Sequence, residues 1–182
     1  MPTPYETNFP VTQKIIANMT APQRLKRIDD LIRQFTPKAE KIPVNLPAAV
    51  RTIETDPRYG DRGVGDPFDR EKAKAYKDMT TEERYNLRDE FQSWGPLQIK
   101  QGAVDDVNQR YKTNYTHEDT FDRIKAGEIF RLYTSRYAKP GTTPNQMAQN
   151  WNRGKHRKEY SERVMNIFNS YNPIPVNRST GE

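Results

Sequence analysis

The chain contains no cysteine, which excludes a disulfide framework and a thiolate metal site and leaves the redox compartment open. Its only histidines, His117 and His156, do not have the spacing of a metal pair. No apolar run approaches the ~18 residues of a transmembrane helix, so no membrane span is expected. The start, Met1-Pro2-Thr3-Pro4-Tyr5-Glu6, lacks a charged region followed by an apolar one, so no secretory signal peptide is expected either. Hydrophobic residues are also scarce, at 33% against 30% charged, which implies a modest core with long surface segments.

What the chain does have is proline, 14 residues, and a net charge of +6. The basic residues cluster at Lys155-His156-Arg157-Lys158 and among Lys14, Arg24, Lys26, Arg27 and Arg33. Such patches suit polyanions, either nucleic acid or an anionic cell wall, and equally suit a solvated surface. No base-reading motif accompanies them, so nucleic-acid binding beyond nonspecific electrostatics is not expected.

Residues 1–40 read as a Pro-rich arm followed by an amphipathic helix over about 23–35. Leu25, Ile28, Leu31, Ile32 and Phe35 share one face of that helix, and Pro37 ends it. This stripe requires docking on the main domain or on a partner. Residues 41–172 read as the main domain, with 173–182 as a tail. A short helix begins near Pro47 and stops at Glu54, because Pro57 disfavours helical geometry at Asp56. Residues 57–91 lose apolar periodicity and form an irregular lobe, with short helices over 69–76 and 80–87 and room for a β-hairpin. A polar turn from Ser93 runs into a helix carrying Ile99, Ala103, Val104 and Val107, and a polar linker covers 109–114. One long helix is predicted over 118–137, with Phe121, Ile124, Ile129, Leu132, Tyr133 and Tyr137 inward. Two more follow, from Thr143-Pro144 to Trp151 and over 159–171.

Three pieces stand in order: Ile53-Glu54-Thr55 at a helix end, Ser93-x-Gly95-x-x-Gln98-Ile99 in a turn, and Gln149-Asn150-Trp151-Asn152-Arg153-Gly154 followed by Tyr160. Across residues 45–170 this pattern resembles the lysozyme-like superfamily, and within it the lytic transglycosylases and their phage-borne relatives. The resemblance implies a mainly α, lysozyme-like α+β fold with a cleft and an irregular lobe. It implies Glu54 as the catalytic acid and Ser93, Gly95 and Gln98 as the turn lining the cleft floor. It assigns Trp151 and Asn152 to sugar contact, and Tyr160 to a place near the acid. Ser93 lies 39 positions beyond Glu54, a long interval for the group; Arg153 replaces a usual small residue, and Trp94 is bulkier than the common occupant.

The chemistry fits independently. Protonating a glycosidic oxygen near neutral pH requires a carboxylic acid whose pKa burial has raised, and Ala48, Ala49, Val50 and Ile53 can supply the apolar wall. Trp and Tyr faces pack on sugar C–H groups. Plainer roles stand beside each assignment. Glu54 could pair with Arg51 or Arg58, Gln98 could only brace its turn, and Trp151 could belong to the core. Asp56, Asp61, Asp66, Asp69 and Glu90 read as solvated loop charges.

The expectation is an enzyme that cleaves the β-1,4 bond between N-acetylmuramic acid and N-acetylglucosamine in peptidoglycan with one Glu as acid and then base. Neither a metal nor an organic cofactor is implied. Carboxylates after Glu54 fall in a Gly- and Pro-rich stretch that would hold a nucleophile poorly, which favours attack by the sugar's own 6-hydroxyl over hydrolysis. The phage-like pattern implies a virion-associated protein acting at the bacterial wall, with virion or tail proteins contacting the arm. The rival expectation is a structural virion protein that keeps the fold without activity.

Overall fold

The computed structural model describes residues 18–67, 69–152, 154 and 156–171. Most of the proposed arm and the tail 173–182 lie outside the described residues, as do Lys14, Arg153 and Lys155. The described chain is mainly helical, with a single two-stranded sheet. None of its helices is long and apolar enough to cross a membrane.

Helix α1 spans Ala21–Phe35, with Pro22 in its first turn and the Thr20 N–H donated to Gln23 Oε1 at 2.7 Å. Ile28 and Ile32 are buried in the same core as the rest of the molecule, so the apolar stripe docks on the domain. Helix α2, Leu46–Glu54, has Pro47 in its first turn and buries Leu46, Ala49 and Val50 completely. A Leu or Val side chain removed from water in this way contributes roughly 1.5–3 kcal/mol.

The lobe follows, with a 3-10 turn at Gly60–Arg62, α3 at Arg70–Tyr76 and α4 at Thr81–Asn86. Local side chains set both helix starts: Asp69 accepts the N–H groups of Glu71 and Lys72, and Thr80 and Glu83 form a reciprocal capping box. The hairpin lies elsewhere than in 57–91. Strand β1, Ser93–Trp94, pairs antiparallel with β2, Ile99–Lys100, in the register Ser93↔Lys100 and Trp94↔Ile99. Val64 of the lobe adds an isolated bridge to Trp94.

Helix α5, Gln101–Tyr111, runs further than expected, into the supposed 109–114 linker, and ends where Lys112 turns left-handed at φ 55°. The single helix predicted over 118–137 is two elements, a 3-10 segment His117–Phe121 and helix α6, Arg123–Ser135. The cause is Asp122, whose carboxylate accepts the N–H groups of Ile124 (2.8 Å) and Lys125 (3.0 Å) and restarts the chain as a new helix. Restarting rotates the face, so Ile124 is 55% exposed rather than inward, while Ile129, Phe130 and Leu132 are fully buried. Helices α7, Pro144–Trp151, and α8, Arg157–Tyr171, complete the described chain; α8 packs on both α7 and α2.

Candidate active site

The packing of α2 against α8 brings Glu54, the last residue of α2, to Tyr160 in the first turn of α8. The Tyr160 hydroxyl donates to Glu54 Oε1 at 2.7 Å. Burial pushes the Glu54 carboxyl above its ordinary range; the Tyr160 hydrogen bond, the Trp151 side chain and the charge of Arg163 pull the other way without cancelling it. The same burial, with the neighbouring carboxylate, raises Tyr160, which therefore stays a protonated donor. Among the described residues Glu54 is not paired with Arg51 or Arg58. Arg58 instead grips Asp56 with Nε and Nη2, and this holds the Asp56 carboxyl down at about 2.

Thr55, the next residue, ties this helix end to the turn by donating Oγ1–H to Pro96 O at 2.8 Å. The turn is built for close approach. Gly95 has φ 76°, and a Cβ there would lie 1.9 Å from Thr120 O. Gly95 N–H donates to Gly63 O, and Gly65 N–H to Ser93 O, each at 2.8 Å, so the lobe segment 63–65 lies alongside β1. A Cβ on Gly65 would meet Ser93 Oγ at 2.3 Å and Gln98 Oε1 at 2.9 Å.

Gln98 closes this junction. Its Nε2 donates to Gly95 O (2.9 Å) and Gly63 O (3.2 Å), and its Oε1 accepts from Ser93 Oγ (2.9 Å). The amide is thus consumed in bracing the floor, which was the plainer of its two roles.

A pocket of about 250 Å³ opens where these parts meet. Glu54, Thr55 and Asp56 line one side, the backbone of Gly63 to Asp66 and Gln98 form the floor, and Tyr59 and Arg84 come from the lobe. Of the predicted residues, Glu54 and Gln98 face this pocket. Ser93 and Gly95 stand behind Gln98, and Tyr160 holds Glu54 from the side. Trp151 reaches Glu54 but does not line this pocket; its ring packs on Phe130 at 4.5 Å and Tyr133 at 5.8 Å. Asn152 accepts the Gly154 N–H at 3.0 Å and so shapes the turn after α7. Asp61 pairs with Arg123, Asp69 caps α3, and Glu90 lines a different depression.

Asp56 and Asp66, read from the sequence as solvated loop charges rather than a second catalytic group, line the pocket as well, and Tyr59 and Arg84 are lining side chains that motif reading missed. Arg84 is only 6% exposed; its guanidinium lies over the Tyr59 ring at 4.4 Å and the Tyr76 ring at 5.4 Å, with Nη1 3.3 Å from Asp66 Oδ1. Only the capping box that starts α4 pointed toward it, and that box fixes the helix rather than the face Arg84 occupies. Among the described residues no cluster of His, Asp and Glu side chains is grouped to hold a metal.

No family model, curated protein or solved structure matches the chain, so its functional reading rests on this geometry and on the motifs.

Proposed function

We propose that the protein is a lysozyme-like peptidoglycan-cleaving enzyme, a lytic transglycosylase carried by a phage virion, that opens the bacterial wall locally. The observation that supports this best is the Glu54 carboxyl, raised by burial, hydrogen-bonded by Tyr160 and facing the same pocket as the Gln98 turn. In this reading Glu54 protonates the oxygen bridging N-acetylmuramic acid and N-acetylglucosamine. Positive charge then develops at C1 of the muramic acid. Glu54, now a carboxylate, takes the proton of the 6-hydroxyl as that oxygen closes on C1, giving the anhydro sugar. Tyr160 steadies the carboxylate in that half of the cycle.

One observation favours hydrolysis as a second reading. Asp56 and Asp66 do line the Glu54 pocket, and Asp56 is ionised there. A second carboxylate facing the acid can serve as base for water.

Digestion of purified peptidoglycan followed by mass spectrometry tests both. Anhydro-muramic products, one water lighter, are expected. Reducing-end muramic acid from the earliest time points would replace the transglycosylase reading with the hydrolytic one. An absence of any cleavage by the folded chain would leave the structural virion protein as the better account.

A further inference from the structure

Behind the hairpin that carries the Gln98 turn lies His117, a titratable group that the chemistry above does not use. It opens the 3-10 segment His117–Phe121 and is only 6% exposed. Its ring touches both strands. Nε2 lies 2.8 Å from Ile99 O of β2, and the ring stacks on the Trp94 indole of β1, with centroids 3.7 Å apart and planes 6° from parallel. The same segment backs the turn, since Thr120 O stands where a Cβ on Gly95 would fall. A sheet with two residues in each strand is marginal by itself, so the hairpin leans on this support.

A backbone carbonyl only accepts, so His117 Nε2 carries the ring's hydrogen and Nδ1 is bare. Nδ1 is shut off from solvent and has no partner among the described residues. A second proton must go there, and it would create a buried, charged N–H with nothing to accept it. Charges act on the ring from three elements: Asp105 of α5, Glu118 of its own segment, and Arg88 of the stretch between α4 and β1. Neither carboxylate is spare. Asp105 accepts Gln101 Nε2 at 2.7 Å, and Glu118 accepts Arg88 Nη2 at 2.8 Å and the Tyr85 hydroxyl. The Trp94 ring would attract an imidazolium, but it already has the Arg88 guanidinium 5.0 Å from its centroid. Burial holds His117 below its ordinary value of 6.5; the Ile99 carbonyl, Asp105 and Glu118 pull upward without cancelling it, and Arg88 lowers it further.

We propose that His117 is an acid-sensitive latch: neutral, it locks β1 and β2 behind the pocket, and protonated, it releases the hairpin and with it the Gln98 floor. A histidine whose pKa folding lowers contributes stability that is fully present above 6.5 and is lost as pH falls through the lowered value. The proposal does not depend on the reading of Glu54.

An NMR titration of the full chain, paired with amide hydrogen exchange, tests it. The one other histidine is the exposed His156, so the ring signals are readily assigned. Exchange follows the hairpin amides Gly65, Gly95 and Gln98, which donate to Ser93 O, Gly63 O and Gly95 O, against buried Val164 of α8. His117 should titrate below pH 6.5. Over the same midpoint, protection of the three hairpin amides, corrected for intrinsic rate, should fall at least tenfold while Val164 keeps its own. His117→Gln, whose amide can still donate to Ile99 O but does not titrate, should remove that pH dependence. If this variant does not fold, the coincidence of the two midpoints in the wild type decides. A His117 midpoint at or above pH 6.5, or hairpin protection unchanged through it, would overturn the proposal. So would the same loss of protection in folded His117→Gln, or simultaneous loss at Val164, which would mark global acid unfolding.

Discussion

Tyr160 donates its hydroxyl hydrogen to Glu54 Oε1 at 2.7 Å across a separation of 106 positions. The bond favours the ionised carboxyl, whereas burial favours the neutral one, and burial prevails. Both forms of the Glu54 carboxyl are thereby accommodated, the neutral one by desolvation and the ionised one by the tyrosine.

Tyr160→Phe keeps the ring packed and removes only this bond. Loss of a stabiliser of the carboxylate raises Glu54 further. The alkaline limb of the pH–rate profile for wall cleavage should therefore move to higher pH. Stability should fall by about 1–3 kcal/mol at neutral pH, where a charged acceptor loses its partner. An unmoved limb would show that Tyr160 does not tune the acid.

Glu54→Gln retains shape and abolishes proton transfer. Cleavage of purified wall should fall by roughly 10²–10⁴-fold, the usual worth of a general acid. Near-full activity in the variant, with an unchanged circular dichroism spectrum, would refute the assignment.

The same variant has an opposite effect on stability. A carboxyl whose pKa is raised by folding is accommodated best when protonated. Its contribution is fully present below the ordinary glutamate value of 4.5 and is lost as pH rises through the raised value. A glutamine side chain does not titrate, so Glu54→Gln should gain thermal stability relative to the wild type as pH climbs above 4.5. Melting curves across about pH 4 to 8 measure this, and parallel curves would contradict the raised pKa.

Gly65→Ala should destabilise the chain, because the new methyl group meets Ser93 Oγ at 2.3 Å and Gln98 Oε1 at 2.9 Å. Ser93→Ala makes part of the room back. A double-mutant cycle read by urea denaturation should show the two changes coupled by about 0.5–3 kcal/mol. Additive effects would mean that the lobe and β1 do not approach each other so closely.

Ile32→Ala probes α1. With Ile32 only 8% exposed in the common core, the loss should be about 2–5 kcal/mol in one cooperative transition. A second, separate transition would show α1 to be a detachable element.

Much of this was legible in the residues because much of it is local. The starts of α3 and α4 rest on Asp69, Thr80 and Glu83, side chains that satisfy backbone groups two or three positions away. The end of α2 at Glu54 is set by Pro57, three positions on, and the burial of Ile28, Ile32, Val104 and Val107 follows from spacing. Where two local signals compete, spacing misleads. The apolar period over 118–137 ran straight through Asp122, whose carboxylate captures two N–H groups and turns Ile124 outward.

The pocket itself belongs to the tertiary structure. Nothing local states that Gln98 spends its amide on Gly63, Gly95 and Ser93, or that Arg84 is clasped between Tyr59 and Tyr76 above Asp66. Sequence alone determined which residue types were available near Glu54 and where the helix carrying it stops. That Glu54 is shielded from water rather than an ordinary surface carboxylate was decided by the packing of α2 on α8. Desolvation depends on what excludes water in three dimensions, and the residues that do so come from distant parts of the chain.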